Sequence, residues 1–217
     1  MRENFFFDPT VKQAFDSYFL LGDTADLTFD TVKNLLRIGD SGLVGAVSSI
    51  PQFRYGDFEF RMAFDSLSPD SNDSSKFFGL RNRSDDSRGG IYFDLSYDTT
   101  ATDSSPSTRP FQAVVYDERG NKRKYPLTWD TLWAGGGTQT NFRINWEQDL
   151  VRFLVNDTVY LTVGDGRDSN GQEVIVNKTI PQGVRIVNRS LDTTDSAPTS
   201  MKYLNIRNSE ISWRERL

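Results

Sequence analysis

Cysteine and histidine are both missing from these 217 residues. Their joint absence excludes disulfides, thiolate metal sites, imidazole-held zinc and every Ser-His or Cys-His nucleophile pair. Catalysis is left to carboxylates, tyrosine, lysine or a metal held by oxygen. The chain also lacks any apolar run near the ~20 residues of a membrane span, so no membrane insertion is expected. At the start, MRENFFFDPTVKQ, Glu3 and Asp8 interrupt what would be a signal-peptide core. No signal peptide is visible, so the expectation is that the protein is not exported by the general route or that the sequence begins after the signal. Long Lys/Arg runs are missing too, and the net charge is −5. Without a basic stripe to hold a phosphate backbone, nucleic acid is not expected as a partner. The lack of cysteine does not fix a compartment, because a domain of this size needs no disulfide staple.

What the chain does have is aromatic residues, 13% of the total with 16 Phe, within a 36% hydrophobic composition. That is enough apolar material for one domain with a real core. The most informative stretch is 141–163, NFRINWEQDLVRFLVNDTVYLTV. Phe142, Ile144 and Trp146, then Val151, Phe153 and Val155, recur at every second position, the period of strands with one buried face. Glu147-Gln148-Asp149 breaks the first strand from the second. Asn156-Asp157 supplies the pair that tolerates the positive φ of a tight hairpin turn. A three-stranded antiparallel meander is predicted, with Trp146 and Phe153 in the core.

Elsewhere the same period recurs in Phe58, Phe60, Met62 and Phe64, which alternate with Glu59, Arg61 and Ala63. Further strands are predicted at 77–80, 90–97, 174–176, 184–187 and 201–207. Two short ones flank Gly39-Asp40-Ser41-Gly42, and a hairpin of 111–116 with 122–127 turns at Glu118-Arg119-Gly120-Asn121. Polar loops are expected at 65–76 and 98–110. The N-terminus reads differently: Asp8-Pro9 resembles a helix start, and Val11, Ala14, Phe15, Tyr18 and Phe19 share one helical face before Gly22. That segment packs on the domain or docks on a neighbouring subunit. Phe5, Phe6, Phe7, Phe15, Tyr18 and Phe19 are the candidate interface, since a leading aromatic triplet is hard to keep solvated. The fold predicted is all-β, a two-sheet antiparallel β-sandwich of jelly-roll type with one short N-terminal helix. Its division is 1–26 for the N-terminal segment and 27–217 for the sandwich.

Phe53-x-Tyr55-Gly56-x-Phe58-Glu59-x-Arg61, Phe77-Phe78-Gly79-Leu80, the Phe-Arg-Ile-x-Trp and Val-Arg-Phe-x-Val strands of the meander and Tyr203-Leu204-Asn205-Ile206 together resemble the concanavalin A-like lectin/glucanase superfamily. Family 16 glycoside hydrolases and laminin G-like sandwiches are the nearer members of that resemblance. In the hydrolases, it implies a Glu-x-Asp-x-(x)-Glu strand that sets two carboxyl groups ~5 Å apart. The matching strand here is Ile91-Tyr92-Phe93-Asp94-Leu95-Ser96-Tyr97-Asp98. Asp94, Ser96 and Asp98 share a face, but both glutamates are absent. The expectation is therefore no catalytic residues and no enzyme activity, with a degenerate glycoside hydrolase as an alternative.

Trp129, Trp133, Tyr92 and Tyr97 are candidate platforms for sugar rings, with Asp94 beside them. Trp129 and Trp133 stand next to the glycine triplet 135–137. Asp165, Asp168 and Asn170, with Gly171 and Glu173, offer oxygen ligands that would suit Ca²⁺, although the spacing is not that of an EF-hand and a plain hairpin accounts for it. No other cofactor is expected. Asn-x-Ser/Thr sequons occur at Asn72, Asn82, Asn156, Asn177 and Asn188. The function these features predict is a non-catalytic recognition or adhesion module, carbohydrate-binding, at an extracellular surface or on a virion. A structural protein of a virus, phage or surface layer is the alternative. Its partners would be a glycan or neighbouring protein subunits, including copies of itself.

Overall fold

A computed structural model of the chain describes residues 4–6, 27–30, 35–38, 45–48, 55–64, 75–81, 89–94, 111–127, 140–147, 150–164, 176, 182–189, 199–203 and 205–207. The elements formed by these residues are strands. In chain order they are β1 (Asn4–Phe6), β2 (Leu27–Asp30), β3 (Leu35–Ile38), β4 (Gly45–Ser48), β5 (Gly56–Phe64), β6 (Ser75–Arg81), β7 (Gly90–Asp94) and β8 (Phe111–Tyr116). They continue with β9 (Lys122–Leu127), β10 (Thr140–Trp146), β11 (Leu150–Val155), β12 (Thr158–Gly164), β13 (Gly183–Arg189), β14 (Thr199–Tyr203) and β15 (Asn205–Arg207). All pairings between them are antiparallel.

Seven strands form one sheet in the order β12-β11-β10-β5-β14-β3-β2, six form another in the order β4-β13-β6-β7-β8-β9, and β1 pairs with β15. The alternation seen in the sequence decides which side chains lie between the sheets. From the seven-stranded sheet come Phe58, Phe60, Met62, Phe142, Ile144, Trp146, Val151 and Phe153; from the six-stranded sheet come Phe78, Leu80, Ile91, Phe93, Ala113, Val115, Val184 and Ile186. All are buried in one cluster. Aromatic rings join the layers directly. Phe93 meets Phe142 and Phe153 edge-on at 5.3 and 5.1 Å, and Phe78 meets Phe142 at 5.0 Å and Phe60 at 5.5 Å. Such offset and edge-on contacts add to the area buried by each ring.

The meander at 141–163 forms as predicted, with Trp146 and Phe153 buried. Its second turn holds Asn156 and Asp157 at φ 47° and 63°, the left-handed conformation that asparagine and aspartate tolerate. Asn156 Oδ1 also accepts from the Asn141 amide at 3.0 Å, which ties the turn to the neighbouring strand. The β8–β9 hairpin likewise has the predicted bounds. Its corner is fixed by Asp117, whose carboxylate accepts from the amides of Arg119 and Asn121, from Asn121 Nδ2 and from Arg123 Nε. Burial alone would push this carboxyl up, but the four hydrogen bonds hold it below the usual aspartate range.

Between 27 and 50 the sequence suggested two strands, and the structure has three. β2 is the extra one, a four-residue strand on the edge of its sheet, too short to show a period of its own. The late strand 201–207 divides into β14 and β15, with a register shift between Met201 and Tyr203 against β5. The helix expected at 9–21 lies outside the described residues.

Candidate functional site

β6, β7 and β8 bury both of their faces, and the second face builds the site. While Phe78, Leu80, Ile91 and Phe93 point into the sandwich, the opposite parity carries Phe77, Tyr92, Val114, Tyr116 and Val187, a second buried cluster on the outside of the six-stranded sheet. Strand register lays these residues out in rows. One row runs Arg185, Gly79, Tyr92, Val114, Lys124 across β13, β6, β7, β8 and β9. The next runs Val187, Phe77, Asp94, Gln112, Pro126. Arg81 lies opposite Gly90, and Tyr116 opposite Lys122.

Two glycines make room for the aromatic floor. Gly79 has φ +149°, and a Cβ there would stand 2.5 Å from Tyr92 Cα and 2.6 Å from the Ile91 carbonyl oxygen, so β6 and β7 approach more closely than any side chain would permit. At Gly90 a Cβ would lie 2.9 Å from Tyr92 Cε1 and 3.3 Å from Tyr116 Cδ2, so the bare backbone accepts the Tyr92 ring. That ring sits 5.0 Å from Phe77, centroid to centroid, at 44°. Tyr92 is only 1% exposed and Asp94 6%.

Cations surround this floor. The Arg81 guanidinium lies 5.0 Å from the Phe77 ring centre and 5.3 Å from that of Tyr92, Arg185 lies 5.8 Å from Phe77, and Lys122 Nζ lies 5.6 Å from Tyr92. Lys122 Nζ is also 3.7 Å from Asp94 Oδ2. Burial lowers the Lys122 pKa and the Asp94 carboxylate opposes that shift. Burial pushes the Tyr92 phenol well above its ordinary value, with Arg81 pulling the other way, so Tyr92 stays a neutral hydroxyl at any physiological pH. The face thus combines flat apolar rings, a phenol, one carboxylate and several guanidinium and ammonium donors. The rings are buried, and the half-buried or exposed polar groups around them are Arg81, Arg185, Lys122 and Lys124.

Of the residues singled out from the sequence, the structure brings Tyr92 and Asp94 together at the centre of this face. Phe5 and Phe6 lie in β1, opposite Ile206 and Asn205 of β15. Phe7, Phe15, Tyr18, Phe19, Tyr97, Trp129, Trp133, Asp165, Asp168 and Asn170 lie outside the described residues, as do Ser96 and Asp98. Among the described residues no group of three or more Asp and Glu is placed to hold a metal, and no helix is long and apolar enough to cross a membrane. Sequence reasoning missed Arg81, Lys122, Arg185, Phe77 and Tyr116. Each belongs to a different strand position from Asp94, and only the register shows that they converge. The available signal was that Phe77 and Tyr92 interleave with core residues, which is the mark of a strand buried on both faces.

The same sandwich occurs in solved structures. The apo Crh5 transglycosylase superposes with a TM-score of 0.61 over 95% of this chain and 85% of its own, at 14% identity. A Bacillus licheniformis beta-glucanase gives 0.53 over 86% and 83%, at 13% identity. An immunostimulatory antigen and pseudo beta-1,3-glucanase of Mycobacterium tuberculosis gives 0.54 over 86% and 79%, at 15% identity. The chain has the concanavalin A-like β-sandwich fold. No protein-family model matches the sequence, and no curated protein is similar to it.

These neighbours correct one expectation. The chain was expected not to be an enzyme, yet the structures sharing its fold are mostly glycosyl hydrolases and glucanases, alongside a transglycosylase and the pseudo-glucanase. The expectation rested on counting glutamates along a single strand. A site on a sheet face is assembled across strands, and here Lys122 of β9 reaches Asp94 of β7 while Arg81 of β6 reaches the neighbouring Tyr92 ring.

Proposed function

We propose that the protein is a degenerate glycoside hydrolase of the concanavalin A-like type, which takes a polysaccharide on the outer face of the six-stranded sheet and contacts the glycosidic linkage through Asp94. The observation that carries this reading is the position of Asp94. It is the carboxylate that β7 presents on the face opposite the core, set on an aromatic floor and countered by Lys122 at 3.7 Å. A retaining glycosidase places two carboxyl groups ~5–5.5 Å apart, one as nucleophile and one as acid/base. With aspartate in place of glutamate on that strand, turnover should be slow and binding should dominate. A protein of this kind would work where polysaccharide is displayed, outside the cell or on its surface.

The test is reducing-end release from a panel of β-glucans, galactans and alginate, together with retardation in native gels containing the same polymers. Retardation by at least one polymer, with any release of reducing ends abolished by Asp94→Asn, is the expected result. Turnover that survives Asp94→Asn, or no retardation by any polymer, would reject the proposal.

A further inference from the structure

We infer that Lys122 stands in for the second carboxyl group of a retaining pair, giving a proton to the linkage oxygen while Asp94 meets the anomeric carbon. This rests on reading Asp94 as the group at the glycosidic linkage. Retaining hydrolysis needs one group that bonds to carbon and another that hands a proton to the departing oxygen and later takes one from water. The strands of the six-stranded sheet contain a single acidic residue, Asp94. The sheet itself therefore supplies no carboxyl partner.

It does supply an amine. Lys122 pairs with Tyr116 and Asp94 with Gln112, so the two residues start two strands apart and are offset along β8 by the span from 112 to 116. The lysine side chain bridges that gap, passing the Tyr92 ring at 5.6 Å and ending with Nζ 3.7 Å from Asp94 Oδ2. Its side chain is 36% exposed against 9% for that of Asp94, so the ammonium is the open member of the pair. The flexible four-carbon stem lets Nζ draw back to the ~5–5.5 Å separation of a retaining pair without any shift of backbone. Burial lowers the Lys122 pKa, Asp94 opposes that shift, and Lys124 and Arg81 act in the same direction as burial. A lysine lowered in this way gives up its proton more readily near neutral pH.

The step balances without a further reactant. An Asp94 carboxylate oxygen bonds to the anomeric carbon as the bond from that carbon to the linkage oxygen breaks, and the departing oxygen keeps the electron pair and takes a proton from Lys122 Nζ. The neutral amine then takes a proton from a water whose oxygen attacks the same carbon and frees the Asp94 carboxylate. One linkage and one water are consumed, and both residues return to their starting states.

The experiment compares kcat/KM on two substrates, whichever polysaccharide of the β-glucan, galactan and alginate panel the wild type cleaves and the 2,4-dinitrophenyl glycoside of the same sugar, whose phenolate leaves without a proton. Wild type, Lys122→Gln, Lys122→Arg and Asp94→Asn are measured, each with its melting temperature. Both lysine variants should lose about 100-fold or more on the polysaccharide and less than about fivefold on the dinitrophenyl glycoside, because glutamine has no proton to give and arginine does not release its own. Added azide, a nucleophile that needs no base, should raise kcat of Lys122→Gln on the dinitrophenyl glycoside and yield the glycosyl azide. Asp94→Asn should lose both substrates. Lys122→Arg as active as wild type on the polysaccharide, an equal loss on both substrates, or no loss in Lys122→Gln would overturn the inference and leave the reading of Asp94 standing. A polysaccharide that retards the protein in native gels but is never cleaved would also overturn it while leaving the saccharide site in place. No retardation by any polymer would remove both.

Discussion

The two outer faces of the sandwich are built from the same alternation but end in opposite chemistry. On the seven-stranded sheet, Asp57 and Arg143 form a bidentate pair diagonally between β5 and β10, Glu59 lies in register with Arg143, and Arg152 of β11 binds Asn145 and Glu147. Asp157 at the β11–β12 turn reaches the same Arg143. The Arg143 pKa is raised by its bond with Asp57, so the guanidinium remains charged. Charges there satisfy one another within the sheet. On the six-stranded sheet the outer face is a buried aromatic cluster, with Arg81, Arg185 and Lys122 beside its rings and the Asp94 carboxylate next to Lys122. One face sets charge against charge across its strands and the other sets charge against aromatic rings, which is why the second is read as the functional one.

The largest expected effect tests the core both faces share. Phe93 bridges the sheets through Phe142 and Phe153, and Phe93→Ala should cost about 3–5 kcal/mol of stability. Chemical denaturation measures this. A loss under about 1 kcal/mol would mean that the two sheets are not joined through these rings, and the comparison of their outer faces would lose its frame.

Next in size is Asp117→Ala, at about 2–3 kcal/mol, because it strips four hydrogen bonds from a buried hairpin corner of the six-stranded sheet. Its pH dependence has a definite sign. The folded-state pKa lies below the ordinary 3.8, so the carboxylate's contribution is fully present above that value and is lost as pH falls through the lowered folded pKa. Wild type should lose stability with acid over that window, and Asp117→Ala should lose less; parallel acid profiles would contradict the role given to this corner.

Asp57→Asn should cost about 1–2 kcal/mol, since it breaks a pair whose arginine is 36% exposed and partly screened. It should leave any polysaccharide binding and turnover unchanged. Asp94→Asn reverses the pattern, with a stability change below about 1 kcal/mol, because the Lys122 partner is half solvated, and loss of turnover. If Asp57→Asn abolished turnover and Asp94→Asn did not, the functional face would be the wrong one.

Much of the fold was legible in the sequence because alternation is a local signal. Phe58, Phe60, Met62, Phe142, Ile144 and Trp146 announce their buried face within each strand, and Asn156-Asp157 and Arg119-Gly120-Asn121 announce the turns. The six-stranded sheet was harder to read, since Phe77-Phe78 and Ile91-Tyr92-Phe93 are apolar on both parities and do not say which side faces the core. Asp94 could be placed on the matching strand by resemblance. Lys122 and Arg81 could not, because nothing local links β9 or β6 to Asp94 until the order β6-β7-β8-β9 is known. Absent glutamates weighed too heavily for the same reason: the sequence presents a strand at a time, whereas a sheet face gathers its groups sideways.

The most direct test of the account is a matched pair of obstructions, Gln112→Trp beside Asp94 on the six-stranded sheet and Asn145→Trp beside Asp57 on the seven-stranded sheet. Both residues are half-buried on an outer face, and neither change alters net charge. In gels containing whichever of alginate, carrageenan or laminarin retards the wild type, Gln112→Trp should bind at least tenfold more weakly while Asn145→Trp binds as the wild type does. Loss of binding in Asn145→Trp with Gln112→Trp unaffected would contradict the assignment of the saccharide site to the six-stranded sheet.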